Sequence, residues 1–224
     1  MNKNEFDLRR FIFSRFTGAL CDQFLLFSVP LAILKATGSL TFSSLAFVIE
    51  WLPRIVFFPL SGFMADRIKP RYIFSNVDAA RAVLMLIIFS ILYFYPNATF
   101  PALAIMMALL SIAYVLNFVA TDAMLPRQIP SDELPKAHSI LQGVEQITMV
   151  LGPVLAVSIF SYGGINEILI IAAILFMISS VNYLFLHTDD LAVAEKMKLK
   201  TLIESNLIAM NVLKNNKILL HLYP

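Results

Sequence analysis

The sequence predicts an all-α membrane protein of six transmembrane helices. Three observations carry that expectation. Of 224 residues, 59% are hydrophobic and 14% charged, and the mean hydropathy is +0.78. Soluble domains are nearer 45–50% apolar and about 25% charged. Six stretches are long and apolar enough to cross a bilayer, which takes about 20 residues each. Finally, the segments between them differ sharply in basic content. The same composition excludes a disordered chain. A formal net charge of +2 with no basic face leaves no nucleic-acid partner to expect, so the lipid bilayer is the expected surrounding.

The stretches run over 10–35, 40–66, 71–95, 99–125, 134–161 and 165–187. Thr37-Gly38-Ser39 closes the first, and Pro96-Asn97-Ala98 follows the third. Pro126 and Pro130-Ser131 part the fourth from the fifth, and Tyr162-Gly163-Gly164 precedes the sixth. In hydrocarbon every backbone polar group needs an internal partner, which leaves helices or a closed barrel. A run such as Val83 to Leu92 does not alternate as barrel strands do, so the spans read as helices. Residues 1–9 form a short N-terminal segment. Residues 188–224 read as a linker in which Leu199, Leu202, Ile203, Met210 and Leu213 recur at helical spacing. That pattern suits an amphipathic helix at the interface or a solvated linker.

Fourteen of the seventeen Lys and Arg residues fall on one side, including Arg9, Arg10, Arg15, Arg67, Lys69, Arg71, Arg127 and Lys136. The opposite loops hold only Lys35. The positive-inside rule places both termini in the cytoplasm. Arg15 and Asp22 interrupt any short apolar core, so the first span is expected to be retained rather than cleaved as a signal peptide.

Ionisable residues inside spans are costly and usually face a cavity or a partner. Glu50 and Arg54 are four apart on span 2, and Asp78 and Arg81 three apart on span 3, so each pair shares a helix face. Asp22 sits near the middle of span 1 with no partner on its own helix, and Glu145 lies well inside span 5. Asp22 suits a proton-coupled step; it equally suits a buried acid hydrogen-bonded to another helix. Asp122 falls near the end of span 4, where water is expected to reach it. His138 and His187 stand at span ends. The chain shows no metal-ligand spacing, no glycine-rich phosphate loop and no hydrolase signature, so no enzyme activity, metal or cofactor is expected. The single Cys21 allows no internal disulfide.

Gly62-Phe63-Met64-Ala65-Asp66-Arg67-Ile68-Lys69-Pro70-Arg71 resembles the G-x-x-x-D-R-x-G-R-[RK] loop of the major facilitator superfamily, with Lys69 and Pro70 as departures. There Gly62 is expected to let two helices approach closely. In span 5, Gly143, Gly152-Pro153 and Ala156-Val157 resemble the G-x8-G-P-x-x-G-G motif of proton-coupled exporters, with Ala156-Val157 in place of the last glycines. Leu52-Pro53-Arg54, Pro59, Asp78, Arg81, Leu125-Pro126 and Ala137-His138-Ser139 are similar to the macrolide-efflux and enterobactin-exporter branch. The lysophospholipid-transporter branch shares several of these features.

The resemblance implies that the six spans form one half of a major facilitator fold, built as two inverted three-helix repeats. It implies the N-terminal half of a proton-driven exporter (an antiporter) of amphipathic small molecules, drugs or siderophores, in the bacterial inner membrane. Its partners would be protons, the substrate, and a missing C-terminal half or a second protomer. Asp22, Glu50, Arg54 and Glu145 become the candidates for proton coupling or substrate contact. Gly62, Asp66, Arg67 and Arg71 become a gating motif, and Gly143, Gly152 and Pro153 a helix-bending motif. Asp78–Arg81 remains an intramembrane ion pair. The chain stops where a seventh span would begin, so a truncated half, inactive alone, is expected. A homodimeric half-transporter, a membrane scaffold and an inert remnant are the alternatives.

Overall fold

Long apolar helices are all that the described residues, 7–65 and 67–186 of the computed structural model, contain besides short turns. They are α1 (Leu8–Thr37), α2 (Leu40–Ala65), α3 (Pro70–Phe94), α4 (Thr99–Gln128), α5 (Leu134–Gly163) and α6 (Ile165–Leu184), with one 3-10 turn at Pro96–Ala98. All six are long and apolar enough to span a bilayer. The expected linker over 188–224, His187 and the motif residue Asp66 lie outside the described residues.

The punctuation has local causes. α1 starts under Asp7, whose carboxylate accepts from the Arg10 backbone N–H at 3.2 Å. It ends at Gly38, whose φ of +66° puts the chain in the left-handed region while its N–H bonds to the Leu34 carbonyl. Proline opens α3 at Pro70, where a missing N–H costs nothing. Two expectations change. Pro126 does not end the fourth helix, which continues to Gln128; a proline this near the C-terminus removes one hydrogen bond without stopping the last turn. Arg15 is no flanking charge: it lies inside α1 with its side chain only 12% exposed.

The packing has an internal symmetry. α3 lies along α6, α1 along α5 and α2 along α4, with α1 also against α6 and α3 against α4. Exchanging α1–α3 for α4–α6 maps these pairings onto one another, as expected of two inverted three-helix repeats, while the smaller contacts of α1 with α2 and of α5 with α6 have no comparable counterpart among the described residues. α1 is the most enclosed helix, while α2 and α5 show most of their apolar surface to the outside.

Two apolar cores stack along the bundle. Phe11, Phe74, Met124, Leu125 and Tyr183 fill the end carrying Arg71 and Arg127, called here the basic end. Phe24, Val29, Met85, Met106, Leu169 and Phe176 fill the rest.

Glycine decides one helix contact. A Cβ on Gly152 would fall 2.5 Å from Cβ of Gln23 and 3.1 Å from the Phe24 nitrogen, so α5 meets α1 backbone to side chain there. At Gly143 and Gly62 a Cβ would meet nothing within 4 Å among the described residues. Among the described residues a close helix approach at a small residue is found at Gly152. Gly152→Val should lower the melting temperature of the detergent-solubilised chain, losing about 1–3 kcal/mol to overpacking. Gly143→Ala should leave it within about 0.5 kcal/mol of the parent.

Candidate functional site

Between the two apolar cores lies a layer of polar side chains contributed by every helix. Its hub is Asp78, 1% exposed and a little over two turns into α3. The Ser179 hydroxyl of α6 donates to Oδ2 of Asp78 at 2.6 Å, and Asn117 of α4 donates to Oδ1 at 3.1 Å. Arg81, one turn further along α3, places Nη1 3.5 Å from the same Oδ1. α1 passes the hub at Gly18, where a Cβ would lie 3.8 Å from Oδ2 of Asp78, an ordinary contact. The Ser179 hydroxyl also lies 3.2 Å from the Ser14 carbonyl of α1. One carboxylate therefore bonds α3 to α4 and α6, with α1 passing beside it.

Arg81 extends the layer towards α1. Its Nη1 donates to Oδ2 of Asp22 at 3.3 Å, and the guanidinium lies 5.2 Å from the Phe176 ring centroid. Asp22, without a partner on its own helix, thus finds one across the bundle. Two carboxylates, Asp22 and Asp78, share a single guanidinium. Asp78 is enclosed, whereas the Asp22 side chain keeps 18% of its surface open.

The remaining charges sit on the flanking helices. On α2, Arg54 bonds to Glu50 one turn away, and its guanidinium lies over the rings of Tyr114 (4.2 Å) and Trp51 (4.9 Å). The Ser111 hydroxyl of α4 donates to the Glu50 carbonyl, fixing α2 to α4 at the same depth. Asp22, Glu50, Arg54, Ser111 and Tyr114 line a small cleft of about 20 Å³ between α1, α2 and α4. On the other flank Arg15 of α1 donates to Glu145 of α5 at 3.2 Å. Glu145 keeps 36% of its side chain open, the most accessible of the acids in the layer. Among the described residues the layer holds four acids against three guanidiniums.

Other sequence candidates stand apart from it. Gly62, Arg67 and Arg71 are at the basic end, Arg67 over the Phe63 ring at 3.7 Å and Arg71 donating to the Tyr72 hydroxyl at 2.9 Å. Gly143 and Pro153 lie on α5, along with Gly152, whose contact with α1 is described above. Asp122 and His138 are exposed.

Sequence reading missed Arg15, Ser111, Tyr114, Asn117 and Ser179. Arg15 sits two turns into a helix whose start was set by Arg9 and Arg10, and it reads as one more flanking charge. The neutral residues give no signal, because Ser, Asn and Tyr are tolerated in spans and acquire meaning only from what faces them.

Arg81→Met should be the costliest single change in the layer, about 3–5 kcal/mol, because it strands two carboxylates. Ser179→Ala should cost about 1–3 kcal/mol. Thermal unfolding of both variants in one detergent checks the order.

The model of the Major Facilitator Superfamily matches residues 11–223. Macrolide efflux protein A of Streptococcus pyogenes is 26% identical over 187 residues, 82% of this chain and 45% of that protein. Macrolide efflux protein A of Enterococcus faecalis is 26% identical over 174 residues, 76% of this chain and 52% of that protein. The chain therefore spans about half the length of the curated relatives it matches. With six apolar helices in two inverted repeats and a family match along nearly its whole length, the chain belongs to the Major Facilitator Superfamily as one six-helix half of that fold.

Proposed function

We propose that this chain forms the N-terminal six-helix wall of a proton-coupled exporter of amphipathic small molecules in the bacterial plasma membrane, with its basic end and both termini in the cytoplasm. The observation that carries the proposal is the sharing of Arg81 by Asp22 and Asp78 at mid-depth. Asp78 is spent on holding helices together. Asp22, the more open of the two, is the one a proton can reach and leave. Ionised, it ties α1 to α3 through Arg81; protonated, it drops that ion pair, and α1 is released to move.

Glu145 then supplies the substrate contact: its carboxylate is the most open in the layer, and Arg15 bonds only one of its oxygens. Glu50 and Arg54 set the charge of the cleft beside Asp22. Gly62, Asp66, Arg67 and Arg71 gate the cytoplasmic end, and Gly143, Gly152 and Pro153 let α5 bend. The likeness to two macrolide efflux proteins supports a macrolide-like drug as substrate.

Transport by rocking needs a second wall. It comes from a second six-helix unit, seated against the exposed apolar faces of α2 and α5. The six helices alone do not transport. In everted vesicles energised by a pH gradient, this chain alone should move no more labelled macrolide than empty vesicles. Paired with a second unit it should accumulate drug until a protonophore is added. Asp22→Asn should abolish that accumulation while sparing drug exchange. Transport by a monomer of the chain alone would sink the half-transporter reading; gradient-driven uptake by Asp22→Asn would sink the role of Asp22.

A further inference from the structure

A groove of about 650 Å³ runs down the side of the bundle between α3 and α6, away from the charged layer. It has depth because Ala82 of α3 and Ala173 of α6 form its floor, where larger side chains would fill it. Its walls are aliphatic: Leu86 on one side, Ile174 on the other, both about half exposed. From Ile170 to Phe185 the α6 side extends about 22 Å, more than the roughly 15 Å of one leaflet's hydrocarbon. None of Asp22, Glu50 or Glu145 lines it. Asn182, its one polar lining residue among the described residues, donates to the Arg10 carbonyl and to the Ser14 hydroxyl. With the Asn182 amide nitrogen so engaged, the described lining offers an amphipathic substrate little that is polar along its length.

The end of the groove is different. Phe13 and Phe185 frame the mouth at the basic end, and the Arg10 guanidinium lies over the Phe185 ring at 6.0 Å. Asp7 takes one edge of that guanidinium, with its Oδ2 2.9 Å from Nε, and Arg9 is exposed next to it. A fixed cation thus stands where an apolar groove meets the headgroup level of the bilayer, and anionic headgroups are drawn to such cations.

We propose that this groove is a binding site for one anionic phospholipid, with an acyl chain between α3 and α6 and the phosphate at Arg10. The site requires only that the helices lie in a bilayer, so it stands or falls independently of the transport reading. A lipid held there would cover the side of α6 that has no neighbour among the described residues and would brace α6 against α1 and α3.

The experiment is native mass spectrometry of the full chain released from detergent containing equal phosphatidylglycerol and phosphatidylcholine. The chain should retain one phosphatidylglycerol in preference to phosphatidylcholine. Arg10→Gln should reduce that retention about fivefold. Ile174→Trp, a change at an exposed wall residue that leaves the core untouched, should reduce retention of both lipids. Arg9→Gln should change it less than about twofold. Equal retention of the two lipids, an equal loss in Arg9→Gln and Arg10→Gln, or full retention in Ile174→Trp would each overturn the site.

Discussion

Everything in this bundle is arranged around the carboxylate of Asp78. Apolar packing gives six helices no reason to choose one register in a lipid solvent as apolar as themselves. A buried carboxylate does, because each of its oxygens must be met. Ser179 and Asn117 meet them from α6 and α4, and Arg81 approaches from the same helix. The apolar cores above and below are in register because this layer is.

The hub also explains why the layer carries a carboxylate in excess. Arg15 and Glu145 form one pair, Glu50 and Arg54 another, and Arg81 is left with two acids. Asp78 is fully engaged in structure. That leaves Asp22 as the more open of the two, on the helix most enclosed by the others, where a change of charge would act on the centre of the bundle. The two pairs on the flanks differ in kind. Glu50–Arg54 stays within α2 and is clasped by Tyr114 and Trp51, whereas Arg15–Glu145 joins two helices and can be broken by their separation.

How much of this could be read from the sequence follows from distance along the chain. Six spans are legible because each is a local property of about twenty residues. Glu50–Arg54 and Asp78–Arg81 are legible because a helix fixes what lies three or four residues away. Asp22 and Arg81 are 59 residues apart, Arg15 and Glu145 130 apart, and no spacing rule reaches that far. The glycines show the same limit. Gly62 and Gly152 both sit in recognisable motifs, yet of these two, among the described residues, a Cβ would collide with another helix at Gly152 and not at Gly62. A motif marks a residue; which surface it faces is decided by the fold.

The account turns on Asp22 as the carboxyl whose proton is exchanged for substrate. Calorimetric titration of a macrolide into the chain paired with a second six-helix unit, repeated in buffers of different ionisation enthalpy, counts the protons released on binding. The account predicts release from the parent and none from Asp22→Asn, with Asp22→Asn still binding drug. Binding without proton release in the parent, or release that persists in Asp22→Asn, would contradict it.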